Sequence, residues 1–411
     1  MLARAFAALD DAGVDWCLLR GGANLADPTG DVDLLVAPRS LDAIDRVFEA
    51  VGARHHRSWG RGSHRFFVTY DPPSDRWLKF DLVSELAFDS RQAVSGPPPG
   101  GVLARRHRDG GVWKPSDTDA FWLLLLHCML DKATFSDRYR EQLGELTGSA
   151  VGAAPEFRAW VEGLSPRPWD ERAIVDAVRL ERWDQLLAVG RAMRRTFARR
   201  QPASFIIRTL SAIALRRVSR LLGPLAGRAA VIVLIGPDGT GKSSVARRLV
   251  QWWPGGGCVV HLGLYGRDFR GGPFRRAWHL ARARIATRYH LQLGRLVVLD
   301  RHPIEDPGGG GWRHAIRAAV MRRLAPNPTR VVVLDASSEE LARRRPDHNR
   351  AWLERKRDEF RRLSAAHPDW ELVDASRDLA AVTADVATIA WKAVQLGRDG
   401  QTSGFHRPVG G

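Results

Sequence analysis

The segment Gly236–Ser244, Gly-Pro-Asp-Gly-Thr-Gly-Lys-Ser-Ser, has the residue types and spacing to hold phosphates. Glycines at 236, 239 and 241 let successive backbone N–H groups turn inward on anionic oxygens. Lys242 would reach the β- and γ-phosphates of a nucleoside triphosphate, and Ser243 would ligate Mg²⁺. Pro237, Asp238, Thr240 and Ser244 complete the stretch expected to bind ATP. An apolar strand pattern, Val231–Ile235, precedes it and a helical pattern follows, which is the context such a loop needs. The positive end of that helix adds to the attraction.

Two further groups could serve transfer of a phosphoryl group. Asp300 ends the apolar run Leu296–Leu299, a position from which a carboxylate holds magnesium through water, and Arg301 follows it directly. Arg343, Arg344, Arg345 and Arg350 flank Pro346. The loop interior Pro237–Thr240 contains no arginine, so a cation closing over the phosphates must come from elsewhere. Arg344 and Arg350 are the candidates.

A second constellation lies near the amino terminus. Asp31 and Asp33 alternate along a strand pattern, so they share one face while Val32 and Leu34 take the other. Asp81 alternates in the same way between Phe80 and Leu82. Three converging carboxylates would make a two-magnesium site, since like charges brought together need a cation. Gly21 and Gly22 would present backbone donors to a second nucleotide. His127, on the apolar helix Leu-Leu-Leu-Leu-His-Cys-Met-Leu-Asp-Lys, reads as structure, with no partner evident in the sequence.

The elements that must position these groups follow from periodicity. Helices are expected over Leu2–Ala12 and Leu41–Val51, the second capped by Ser40. Strands are expected over Val14–Leu19, Val32–Val36, Arg65–Tyr70 and Trp77–Val83, the last two joined by the turn Asp71–Asp75. Ser95–Gly101 should continue neither a helix nor a central strand. From Ser116 to about Arg200 the pattern is helical, and Ser204–Leu222 is a basic amphipathic helix suited to a neighbouring domain or a membrane surface. Strands Val231–Ile235, Cys258–Leu262, Leu296–Leu299, Arg330–Leu334 and Glu371–Val373 then alternate with helices, which predicts a parallel sheet.

The chain has 411 residues, 44% hydrophobic and 27% charged, with a formal net charge of +17. That composition excludes wholesale disorder and a disulfide scaffold. The excess of arginine favours anionic partners: nucleotides, an anionic small-molecule acceptor, or nucleic acid, although no nucleic-acid module is recognisable. No apolar run approaches the length of a bilayer span, so no transmembrane segment is expected. Three scattered cysteines fit a reducing, cytoplasmic location.

Gly-Pro-Asp-Gly-Thr-Gly-Lys-Ser-Ser, then Val-Val-Leu-Asp-Arg-His at 297–302, then Val331–Arg345, then Asp374-Ala375-Ser376 resemble the thymidylate kinase family of P-loop nucleoside monophosphate kinases, over about residues 229–396. The resemblance implies Mg²⁺ and ATP as co-substrate. It implies Asp238 near the acceptor, Arg301 as clamp of the acceptor phosphate, 343–350 as a lid, and 374–376 beside the base. The family's acceptor-binding Arg-Glu-Pro-Gly-Gly run is missing. His261–Phe274 stands in its place, with Arg267 and Arg270 as substitutes. Residues 14–83, with Gly21-Gly22, Asp31-x-Asp33 and Asp81, resemble the nucleotidyltransferase superfamily. That resemblance implies a magnesium-dependent nucleotidyl transfer to a small molecule or macromolecule.

The expected architecture is multidomain, α/β and α+β. It comprises a nucleotidyltransferase-like domain over 1–112, a helical domain over 113–200, and a basic helix and linker over 201–228. A P-loop NTPase parallel sheet with flanking helices follows over 229–398, and then a flexible tail over 399–411. The expected activity is ATP-dependent phosphoryl transfer to a nucleoside monophosphate. Nucleotidyl transfer at Asp31, Asp33 and Asp81, and nucleotide binding without turnover, are the alternatives.

Overall fold

The computed structural model describes residues 1–19, 25, 30–57, 59–60, 62–152, 155–222, 229–262, 273–305, 312–346 and 349–396. Gly21, Gly22, Arg267, Arg270 and the tail lie outside them. The chain divides into two units: Met1–Thr69 with Leu78–Arg220, and Tyr70–Trp77 with Leu221–Gly411.

In the first unit, strands β1 (Trp16–Leu18), β2 (Val32–Val36), β3 (Arg54–His55), β4 (His64–Asp71) and β5 (Arg76–Val83) form one sheet in the order β1-β2-β5-β4-β3. β2 and β5 pair in parallel, with Asp33 opposite Asp81. Alternation divides the side chains between two cores. Val32, Leu34, Phe67, Phe80 and Leu82 pack against helices α1 (Leu2–Asp11) and α2 (Leu41–Ala50). Ser40 does not cap α2. It closes the short 3₁₀ turn Pro38–Ser40 with φ −90° and ψ −3°, already helical, so its hydroxyl makes no capping bond.

Cys17, Leu35 and Val83 face the other way, into a core built by the helices that follow. Between them run the short strands β6 (Ala87–Phe88) and β7 (Val94–Ser95), helix α3 (Gly100–Ala104), and strands β8 (His107–Asp109) and β9 (Val112–Lys114). Helix α3 starts at the end of the proline- and glycine-rich stretch, with Pro99 supplying its N-cap position, so the stretch begins a helix and continues none.

The helices are α4 (Asp117–Leu126), α5 (Asp137–Leu146), α6 (Pro155–Leu164), α7 (Glu171–Arg179), α8 (Trp183–Arg200) and α9 (Pro202–Leu222). Over Phe121–Leu126 α4 is apolar on all sides because it is buried there on all sides. It starts where the Ser116 hydroxyl accepts the Asp119 N–H, and the buried Asp119 carboxylate is held by both arms of Arg105 at 3.0 and 2.8 Å. A π-helical turn, His127–Lys132, follows, and His127 has a partner there: Nδ1 lies 2.8 Å from Asp131 Oδ2.

The second unit is built on β10 (Val231–Ile235), β11 (Gly257–His261), β12 (Leu296–Asp300), β13 (Arg330–Asp335) and β14 (Trp370–Asp374), all parallel, in the order β11-β12-β10-β13-β14. The buried β10 and β12 read as unbroken apolar runs because both of their faces are covered. Helices α10 (Lys242–Trp252), α11 (Pro273–Gln292), α12 (Trp312–Leu324), α13 (Ser338–Arg344), α14 (Arg350–Ala365) and α15 (Leu379–Leu396) connect and flank the strands. α15 is long and apolar enough to cross a membrane, with a mean hydropathy of 1.2. Its Val382, Val386, Ala390 and Val394 are instead buried in the core.

Acid should loosen this unit through His302. Its Nε2 donates to the Pro326 carbonyl at 3.0 Å and its Nδ1 accepts the Ile304 N–H at 3.2 Å, so only the neutral ring satisfies both. Burial pushes its pKa down from 6.5 to about 4. The unfolded chain therefore takes up the proton first. Stability is complete above about pH 6.5 and declines toward pH 4, by roughly 3 kcal/mol in all. Urea midpoints measured across that range should fall for the wild type and flatten in His302→Asn.

Candidate active site

The parallel sheet brings the glycine-rich loop at 236–241, the Asp300–Arg301 pair and the arginine segment to the carboxyl ends of its strands. Gly236 leaves β10 at φ +143°, and a Cβ there would stand 2.3 Å from the Leu334 carbonyl oxygen on β13. Gly241 takes φ +86° as N-cap of α10, so the backbone turns directly into the helix. The Thr240 hydroxyl donates to Pro237 O at 2.9 Å and sets the turn from inside.

Lys242 is buried, with Nζ donating to Gly236 O at 2.7 Å and Pro237 O at 3.0 Å, and lying 3.7 Å from Asp238. The ammonium sits where the loop closes on itself. Ser243, the next residue, donates its hydroxyl to Asp300 Oδ2 at 2.9 Å. Asp300 is buried, and among the described residues its other oxygen, Oδ1, has no hydrogen-bond partner. A buried carboxylate oxygen without a donor is costly. A hydrated divalent cation beside Ser243 would satisfy it, so these residues fit Mg²⁺.

Arg301 adopts φ +65°, a left-handed backbone that a residue with a long side chain rarely takes, and its guanidinium reaches Asp238 Oδ1 at 3.3 Å. His261 ends β11 in register with Asp300, and its Nδ1 lies 3.3 Å from Asp300 Oδ2. No motif in the sequence marks His261; its one signal there is a place at the end of an apolar strand pattern, and the β11–β12 pairing brings it to Asp300.

The arginine segment divides. Arg344 bonds Glu340 Oε1 at 2.6 Å, Ala375 O at 3.1 Å and Gly239 O at 3.4 Å, so it bridges the phosphate loop and the end of β14. Arg343 is turned back on Glu340, and the two guanidinium groups, Arg343 first, hold that carboxyl down to about 2. Arg350 pairs with Glu354 at 3.2 Å and is not drawn to the loop. Beside the loop lies a cavity of about 250 Å³ bordered by Thr240, Ser244, Arg344, Ala375, Leu379 and Val382. A planar guanidinium and apolar walls suit a stacked base.

At the amino-terminal constellation, Asp31, Asp33 and Asp81 lie on one face of the first sheet. Desolvation raises the Asp31 carboxyl above its ordinary value, with Asp33 and Asp81 adding to the rise and Lys79 opposing it. Asp81 is engaged by His64, whose Nδ1 stands 2.9 and 2.8 Å from its two oxygens. Among the described residues no group of three or more His, Cys, Asp or Glu side chains is arranged to hold a metal ion. Asp33 and Asp81 stand opposite each other on β2 and β5, and the His64 ring faces the Asp81 carboxylate.

No protein-family profile matches the chain, and no curated protein matches it. Among solved structures, thymidylate kinase from Candida albicans aligns at 14% identity over 39% of this chain and 91% of that one, with a TM-score of 0.29. The second unit is a parallel five-stranded α/β sheet flanked by helices. No comparison supports a nucleotidyltransferase type for the first unit.

Proposed function

We propose that the second unit transfers the γ-phosphoryl group of Mg·ATP to an anionic acceptor, a nucleoside monophosphate. The observation that carries this reading is the Ser243–Asp300 pair at the mouth of the loop, with the buried Asp300 Oδ1 given no donor among the described residues. The acceptor class follows the resemblance of the sequence motifs. In this reading backbone amides of 239–243 and the Lys242 ammonium grip the β- and γ-phosphates, and Arg344 lies against the base. Bound Mg²⁺ would be held by Ser243 and Asp300 and would neutralise charge on the β- and γ-oxygens. Arg301, drawn to Asp238, faces the incoming acceptor phosphate. The chemistry needs positioning and fixed positive charge, and no covalent intermediate on the protein.

The test is transfer of label from γ-labelled ATP to a panel of nucleoside monophosphates, with magnesium varied. Wild type should label at least one of them. Asp300→Asn should need about tenfold more magnesium for half-maximal rate, about 1.4 kcal/mol of metal affinity. Absence of transfer to every monophosphate would remove the acceptor class. An unchanged magnesium requirement would remove Asp300 from the metal site.

A further inference from the structure

The helices α11 and α12 leave an unusual face uncovered. On α11, Phe274, Trp278, Ile285 and Tyr289 fall on one side at helical spacing and are exposed, Phe274 at 90% and Trp278 at 72%. The other side of α11 sends Leu280 and Ala283 into the core beneath β10 and β12. α12 packs beside it, where Arg284 donates to the Arg323 carbonyl, and exposes Trp312, Ile316 and Val320 while burying Ala318. Soluble monomers rarely leave so many large apolar side chains open on two helices packed side by side.

The charge on this face is one-sided. α11 carries five arginines and α12 four, and neither helix contains a single Asp or Glu. Arg275, Arg282 and Arg288 are exposed on α11, and Arg322 and Arg323 on α12.

We propose that the α11–α12 face docks on an anionic lipid bilayer. The interfacial region takes both halves of this surface at once. Trp278 and Tyr289 have amphipathic rings of the kind that settle at the headgroup level, and Ile285, Ile316 and Val320 reach the acyl boundary. The arginines meet lipid phosphates, each contributing on the order of 1 kcal/mol near a negative leaflet. A second copy of the chain is a poor occupant, because it would set arginine against arginine with no acid on either helix. Nucleic acid would satisfy the arginines but has no use for the aliphatic side chains.

Lasting attachment takes more than one signal. The first unit supplies another of the same composition. α9 contains no acid, exposes Ile206, Ile207 and Leu210, and is tied to its own unit by Phe205 and by Arg208, which pairs with Glu85.

The experiment is co-sedimentation of the full chain with vesicles of phosphatidylcholine alone and of phosphatidylcholine mixed with phosphatidylglycerol. Wild type should sediment with the mixed vesicles only, and added salt should release it. The double variant Trp278→Ser/Ile285→Ser alters exposed side chains, so its unfolding midpoint should stay in place. Its vesicle affinity should drop about tenfold or more. No sedimentation of wild type with the mixed vesicles overturns the proposal. So does equal binding by wild type and variant, even where Ile207→Ser/Leu210→Ser on α9 abolishes it. A concentration-dependent dimer that the double variant dissolves, without vesicle binding, gives the face to a second copy. Displacement from vesicles by duplex DNA gives it to nucleic acid.

Discussion

Lys242→Ala should lower the rate of phosphoryl transfer by roughly a thousandfold, about 4 kcal/mol of transition-state stabilisation. The ammonium is buried and already converges with Gly236 O, Pro237 O and the Asp238 carboxylate at the closure of the loop. A charge held in so dry a place needs little reorganisation to meet developing negative charge, which makes its removal expensive for the reaction. The fold should lose less, because the loop backbone is also fixed by Thr240 and by the first turn of α10. Single-turnover kinetics with γ-labelled ATP, alongside a thermal melt, separate the two effects. A variant within tenfold of wild type would place the transfer somewhere else.

The second large effect is on stability. Gly236→Ala should cost at least about 3 kcal/mol, since φ +143° is closed to a side chain and the new Cβ would meet backbone at 2.3 Å. The obstacle is the Leu334 carbonyl within the sheet, which cannot swing aside as the end of a side chain can. At about 2–4 °C per kcal/mol for a body of this size, the melting point of the second unit should fall by roughly 6–12 °C. Calorimetry should show that transition moving while the first unit's stays. An unshifted melt would mean that β13 can retreat from the loop.

Features set by neighbours in sequence were legible in it. The glycine-rich turn between β10 and α10 is one, because glycine spacing, the lysine and both flanking patterns lie within a short stretch. The five strands of the second sheet are another, each expected within a residue of its observed limits; the buried β10, β12 and β13 are written as continuous apolar runs. What escaped depends on contacts across the fold. His64 meets Asp81 from a separate strand, and nothing near either residue announces the pairing. His261 meets Asp300 across a parallel pair joined through a whole helix. Ser40 has the right type for a cap, but Pro38 had already started a helical turn ahead of it. Arg343 and Arg350 read as free cations until Glu340 and Glu354 are seen holding them. The composition of α11 and α12 was in plain view, yet only packing shows which of their sides is left open.

Arg301 carries a consequence of its own. Its left-handed backbone costs about 1–2 kcal/mol for any residue with a Cβ, and glycine would escape that cost. Robustness of the fold and charge in the cleft therefore pull this position in opposite directions. A redesign guided by melting temperature alone would replace the arginine, gain a sturdier molecule, and erase the cation that faces Asp238.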